Sequence, residues 1–209
     1  MPTLCGLILA AGFSSRMGTD KALLRWPPAN TKGTTLLSCA IAAFTPLTQH
    51  IVVVAGKNAD NLAPAIATAG ASIAVNPEPE RGQFSSLQIG LRELLAHRCD
   101  AAMITLVDCP PLSATSLQLL CDAFDRALAQ GMWAVTPEYS GRHGHPLLAA
   151  RPLIDAFLAA PITSTAREVK RVHAQHLTSI PVSDPWLTAD LNTPDEYAAV
   201  SACAGEQAS

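Results

Sequence analysis

Leu7-Ile8-Leu9-Ala10-Ala11-Gly12-Phe13-Ser14-Ser15-Arg16-Met17-Gly18-Thr19-Asp20-Lys21 is the stretch that decides how the chain is read. Its opening aliphatic run suits a strand covered on both faces. The run empties into a loop of Ala, Gly and Ser bearing two cations, Arg16 and Lys21. Small residues let backbone N–H groups approach an anion closely, and the cations can then neutralise it. Phosphate is the ligand this pattern implies. The segment is not a Walker A loop, because Thr19 and Asp20 separate Gly18 from Lys21, and it is not G-x-G-x-x-G. Gly56-Lys57-Asn58 likewise lacks the upstream Gly and the Ser or Thr of such a loop.

Outward from this stretch, short aliphatic runs alternate with segments of helical period. Strand-like runs are Gly6 to Ala10, Ile51 to Ala55, Ser72 to Val75, Ala102 to Val107 and Trp133 to Val135. Between them, Leu36, Leu37, Ala40, Ile41 and Phe44 share a helical face, as do Leu87, Leu91, Leu94 and Leu95. Ser85 with Gln88 three residues later reads as a capping box opening the second helix. A third helix runs from about Ser113 to Gly131 with Leu117, Leu120, Cys121, Phe124 and Leu128 on its buried stripe. Such alternation predicts an α/β fold with a largely parallel sheet.

A chain of 209 residues, 49% apolar and 15% charged, can bury one sizeable core. One domain over residues 1–200 is expected, with a small-residue tail at 201–209 that frays. A net charge of −3 without a basic run gives no electrostatic reason to bind nucleic acid. No apolar run is long enough for a membrane helix. Six scattered cysteines (Cys5, Cys39, Cys99, Cys109, Cys121 and Cys203), with no C-x-x-C pair, read as separate buried thiols of a reducing, cytoplasmic compartment.

Other residues carry chemistry. Asp108 follows a strongly apolar strand and precedes Cys109-Pro110-Pro111, which places a carboxylate at the strand edge where open α/β sheets bind ligands. Mg²⁺ favours such oxygen donors together with phosphate oxygens. Asp190, in Asp190-Leu191-Asn192-Thr193-Pro194, reads by itself as a turn and helix N-cap. His143 and His145 lack the carboxylates or thiols of a zinc site; the Gly144-His145-Pro146 loop reads as part of an acceptor pocket, with His145 donating to phosphate or ribose. Arg167, Lys170 and Arg171 read as one solvated helix face.

The opening pattern Leu9-Ala10-Ala11-Gly12-x-Ser14-x-Arg16-Met17-Gly18-x-x-Lys21 resembles the signature of MobA/MocA-like nucleotidyltransferases, which activate molybdenum cofactor. Gly82-Gln83-Phe84-Ser85-Ser86, Val107-Asp108-Cys109-Pro110, Gly144-His145-Pro146 and the late Asp190 segment resemble further motifs of that family, in the same order. The resemblance implies a three-layer α/β/α Rossmann-like fold. It also implies an enzyme that transfers a nucleoside monophosphate from a triphosphate to a phosphorylated acceptor, releasing pyrophosphate. On that basis Leu9, Ala10, Ala11, Gly12, Ser14 and Lys21 bind the nucleotide phosphates, and Gly82, Ser85 and Ser86 face its base and ribose. Arg16, Lys21 and Asp108 are catalytic, and Asp108 and Asp190 hold Mg²⁺. Ala10-Ala11-Gly12 is similar to the cytidylyltransferases, where guanylyltransferases have Ala-Gly-Gly, and this favours CTP with molybdopterin as acceptor. A guanylyltransferase, a cytidylyltransferase acting on a sugar or methylerythritol phosphate, and a non-catalytic cofactor carrier are the alternatives. A molybdoenzyme or its chaperone is the implied recipient.

Overall fold

A computed structural model describes residues 2–12, 20–27, 33–189, 191, 193, 195–198 and 200. Its eight strands form one sheet: β1 Leu4–Leu9, β2 Ile51–Ala55, β3 Ser72–Val75, β4 Ala101–Leu106, β5 Ala134–Tyr139, β6 Arg142–His143, β7 Leu147–Ala150 and β8 Leu177–Pro181. The order is β3-β2-β1-β4-β7-β5-β6, with β8 on the other edge of β5. Strands β3, β2, β1 and β4 are mutually parallel. Only β7, and the two-residue β6, run against their neighbours.

Apolar side chains on both faces of the strands explain the layers. Along β1 and its continuation, Ile8 and Ala10 point to one face, where they join Leu37, Ile41 and Phe44 of α1 (Leu36–Phe44). Leu62 and Ile66 of α2 (Ala59–Thr68) and Leu117, Leu120 and Phe124 of α4 (Ala114–Ala129) complete that core. Leu7 and Leu9 point the other way, into a second core with Leu87, Leu91 and Leu94 of α3 (Gln83–Ala96). Leu153 and Phe157 of α5 (Arg151–Ala159) and Val169 of α6 (Ala166–Val172) close it. This is the three-layer α/β/α arrangement, and no described helix is long and apolar enough to cross a membrane.

The chain winds outward from β1 through α1, β2, α2 and β3, then returns across the opposite face through α3 to β4. Strand order therefore reverses between β1 and β4, and their carboxyl ends flank the crevice that such a reversal opens. A third, smaller cluster of Trp26, Leu36 and Leu191, with Trp186 and Tyr197 against it, fastens the C-terminal segment beside that crevice. The Tyr197 hydroxyl also donates to the Arg25 carbonyl at 2.8 Å.

Three local expectations need correction. Strands β6, β7 and β8 were not predicted: β7 is four residues long and runs directly into Arg151-Pro152, and β8 is a half-buried edge strand without strict alternation. Helix α3 starts at Gln83 on an N-cap Gly82 whose φ is +94°, so Ser85 is not its cap. Gln88 instead donates to the carbonyls of Phe157 (2.8 Å) and Ala160 (2.9 Å). Finally, Cys5 and Cys99 are not separate thiols but a disulfide, joined across a separation of 94 residues. The β1–β4 register pairs Leu4 with Ala101 and Cys5 with Ala102, which sets Cys5 near Cys99 just before β4. Cys39, Cys109 and Cys121 are thiols, and burial pushes the Cys121 thiol up to about 11.

Gly144 shows why the Gly-His-Pro loop opens on a glycine. A Cβ there would collide with the backbone carbonyl of Leu187 and lie 2.7 Å from its Cγ. Because the collision is with backbone, the 3-10 turn Pro185–Thr188 must move as a whole. Gly144→Ala is expected to lower stability by about 1–3 kcal/mol, the usual cost of overpacking, read as a lower urea midpoint at an unchanged slope.

Candidate active site

Adjacent parallel strands deliver the loops after β1 and β4 to the same edge of the sheet. There the Lys21 ammonium donates to Asp108 Oδ2 at 3.0 Å, across 87 positions of sequence. Both side chains are largely shielded, at 15% and 26% exposure. Lys21 opens a 3-10 turn, Lys21–Leu23, whose cap is Asp20: its Oδ1 accepts from the Ala22 amide at 3.1 Å.

A residue that sequence reasoning passed over holds this turn. Asn58 Nδ2 donates to Asp20 Oδ2 at 2.7 Å and to the Ala10 carbonyl at 3.0 Å, while its Oδ1 accepts from the Gly56 amide at 2.9 Å. One carboxamide thus ties the end of β1, the loop after β2 and the start of the lysine turn. Gly56 contributes by having no Cβ, which would lie 3.0 Å from the Ala11 carbonyl. The sequence signal for it is the Gly56-Lys57-Asn58 turn itself, which matches no phosphate motif.

Asn76 plays the matching part on the opposite wall. Buried at 2% exposure, its Nδ2 donates to Ser85 Oγ and Ser86 Oγ, each at 2.9 Å, and its Oδ1 accepts from the Glu78 amide at 3.0 Å. Ser85 Oγ in turn donates to the Gly82 carbonyl at 2.8 Å. The start of α3 is therefore fixed before any ligand arrives.

Between these walls lies a cavity of about 380 Å³. Of the predicted nucleotide residues it gathers Leu9, Ala10, Ala11, Gly12, Lys21, Gly82 and Ser86, together with Asp108. Ser85 does not line it, being turned to Asn76 and Gly82. Ser14, Arg16 and Asp190 lie outside the described residues. The neighbour of Asp190, Leu191, donates its amide to the Asp108 carbonyl at 3.1 Å. Asp184 helps to bring the chain there: its carboxylate, 4% exposed, accepts from the Ser113 amide and Ser116 hydroxyl at the start of α4, each at 3.0 Å.

His145 lines a second cavity of about 260 Å³, which shares Leu9, Gly82, Gln83 and Leu106 with the first. Its Nδ1 lies 3.4 Å from the Ile104 carbonyl. Lys170, predicted to lie on a solvated face with Arg167 and Arg171, is instead half-buried and lines this second cavity.

A sheet reversal flanked by a lysine and a carboxylate, with Ala10, Ala11 and Gly12 lining the cavity beside them, suits a phosphate ligand, and comparison with known proteins identifies its kind. The MobA-like NTP transferase domain matches residues 6–179. The chain belongs to that family. It is similar to the molybdenum cofactor cytidylyltransferase of Escherichia coli (strain K12), at 24% identity over 91% of this chain and 92% of the relative. A probable molybdenum cofactor guanylyltransferase of Rhodopirellula baltica is 26% identical over 92% of this chain and 89% of its own length. A Mycobacterium tuberculosis protein solved in complex with manganese has the same fold, with a TM-score of 0.68, 20% identity and coverage of 96% and 98% of the two chains. This transferase is accordingly an enzyme that transfers a nucleotidyl group, of the molybdenum cofactor cytidylyl- and guanylyltransferase type.

The Asn58 clamp generates a prediction. Asn58→Ala removes three hydrogen bonds at once and leaves part-buried partners unpaired, so stability falls by about 1–3 kcal/mol. Nucleotide affinity falls with it, because the lysine turn loses its tether. Urea unfolding and titration calorimetry with a nucleoside triphosphate check the two effects separately.

Proposed function

We propose that the protein transfers CMP from CTP to a phosphorylated small-molecule acceptor, molybdopterin, and releases pyrophosphate. The observation that carries this reading is the pairing of Lys21 with Asp108 at the sheet reversal, inside a cavity walled by Leu9, Ala10, Ala11 and Gly12. A phosphate oxygen of the acceptor attacks the α-phosphorus, an oxygen–phosphorus bond forms, and the bond to the β-phosphate breaks with pyrophosphate leaving in line. An acceptor phosphate is already ionised at neutral pH, so no side chain need act as nucleophile or general base. The protein's work is alignment and charge neutralisation.

Charge counting around the first cavity supports a divalent metal. Its described lining carries three carboxylates (Asp20, Glu80 and Asp108) against one ammonium, Lys21. Lys21 alone is a poor match for a triphosphate in that company. The Lys21 ammonium already sits where a cation would meet Asp108, so the carboxylate is suitably aimed. Mg²⁺ there would supply charge neutralisation of the phosphates, and Asp108 with Asp190 would hold it; Leu191, the next residue in sequence, donates its amide to the Asp108 carbonyl, which supports the pairing of these two segments. Manganese bound by the mycobacterial protein fits the same donor chemistry.

Within this reading Lys21 binds phosphate once released from Asp108, and Arg16 and Ser14 are assigned the same ligand. Gly82 and Ser86 present the start of α3 to ribose and base. Ala11, 8% exposed on the cavity wall, favours a pyrimidine by occupying space that a purine would take. His145 orients the acceptor.

Four nucleotides offered with molybdopterin and Mg²⁺, read as pyrophosphate release, test the reaction; CTP is expected to be used best, and better use of GTP would overturn the base assignment. Ala11→Gly is expected to narrow the preference. Asp108→Asn is expected to keep the fold while losing Mg²⁺-dependent CTP binding in calorimetry; binding that still responds fully to Mg²⁺ would remove Asp108 from the metal.

A further inference from the structure

The second cavity differs from the first in its charge. No Asp or Glu is among its described lining residues, whereas Arg81 and Lys170 both contribute. Arg81 is already paired with Glu78 at 2.9 Å. Lys170 forms no ion pair among the described residues. The described lining of this cavity joins Phe84, Leu87, Ile104 and Leu147 to the hydroxyl residues Thr163, Ser164 and Thr165, and offers the Lys170 ammonium no carboxylate. Burial and the nearby Arg167 guanidinium push its pKa down, which reports the same discomfort. A half-buried cation kept without a counter-ion needs one from elsewhere, because desolvating an unpaired charge is costly.

The cavity is also built in advance. Gln88, buried on α3, holds the carbonyls of Phe157 and Ala160, and thereby anchors the turn that leads into α6 to the same helix whose start faces the nucleotide cavity. Leu9, Gly82, Gln83 and Leu106 form a wall common to both cavities. A phosphate attacking a nucleotide in the first cavity must lie at that common wall. Lys170 belongs to the second cavity alone and so meets a different part of the acceptor.

We infer that the second cavity takes the body of the acceptor, and that Lys170 determines specificity there by pairing with an anionic group other than the attacking phosphate. The inference rests on the nucleotidyl-transfer reading and narrows it. The acceptor class is a compound with a flat, apolar-faced ring, a phosphate at one end and a second anionic group. A monosaccharide phosphate carries no second anionic group for Lys170.

Two measurements test this, one dependent on turnover and one independent of it. With molybdopterin as acceptor, Lys170→Met is expected to raise the acceptor KM about tenfold or more, the usual cost of losing a charged hydrogen bond. The KM for nucleotide and the unfolding midpoint should hold, and Lys170→Arg should recover part of the loss. An unchanged acceptor KM would overturn the assignment. The second measurement is trinitrobenzenesulfonate labelling of Lys170 in the wild-type protein, followed by peptide mass mapping, with phenyl phosphate and 4-carboxyphenyl phosphate as probes. The carboxylated probe should protect Lys170 at lower concentration, and CTP with Mg²⁺ should not protect it. Equal protection by the two aryl phosphates, or protection by nucleotide alone, would overturn the inference. Differential protection in a protein that releases no pyrophosphate with molybdopterin would leave the cavity assignment standing and refute the acceptor named above.

Discussion

The parallel ladder between β1 and β4 is the contact on which the rest of the molecule depends. It pairs six residues on each strand, from Leu4 with Ala101 to Leu9 with Leu106, although nearly a hundred positions separate them in sequence. Pairing of that separation is costly in chain entropy and must be repaid by burial. Both strands repay it on two faces, since Leu7 and Ile8, and Met103 and Ile104, feed opposite cores. Because the ladder is parallel and in register, the two loops that follow leave the same edge together. A one-residue slip would turn every side chain to the wrong core and separate Lys21 from Asp108. The Cys5–Cys99 disulfide closes the other end of this strand pair.

Precision at the open edge comes from amides rather than charges. Asn58 and Asn76 each saturate a set of loop groups that no secondary structure would otherwise satisfy. Asparagine suits the task because its carboxamide both donates and accepts. Asn58 holds the lining residues Ala10 and Asp20, and Asn76 the lining residue Ser86, so the first cavity is shaped by hydrogen bonds formed on folding. Binding then does not have to order the start of α3 or the lysine turn, and the entropy of doing so is not charged against affinity.

Long-range order was legible in the sequence where one residue type dominated a whole element. The buried strand before Ala11-Gly12, the edge position of Asp108, and helix α4 between Ser113 and Gly131 all follow from local pattern. Features set by partners distant in sequence were not. Ser85 and Gln88 fit a local capping pattern, yet Asn76 claims the first and the carbonyls ending α5 claim the second. Cys5 and Cys99 carry no spacing signal, since only the β1–β4 register brings them together. Lys170 sits one position from Arg171 and three from Arg167, so charge alone groups them on a solvated surface; the fold seats Lys170 half-buried against the second cavity and leaves both arginines exposed. Strand β7 is four residues, too short to outweigh the helix that follows it.

The Lys21–Asp108 ion pair sets the terms on which ligands enter under the proposed reading. Each group satisfies the other in the absence of nucleotide, within surroundings too shielded to leave either charge bare. A metal approaching alone would have to displace an ammonium from Asp108 and so break the ion pair. A triphosphate approaching alone meets three carboxylates and can recruit Lys21 only by stripping Asp108 of its counter-ion. Arriving together, a metal would be held by the carboxylate and a phosphate by the lysine, so the one ion pair is replaced by two. The cost of breaking the pair is incurred once and shared between two ligands, which makes each bind more tightly in the presence of the other. Cooperation between metal and nucleotide is thus a consequence of the ion pair itself and needs no movement of the sheet.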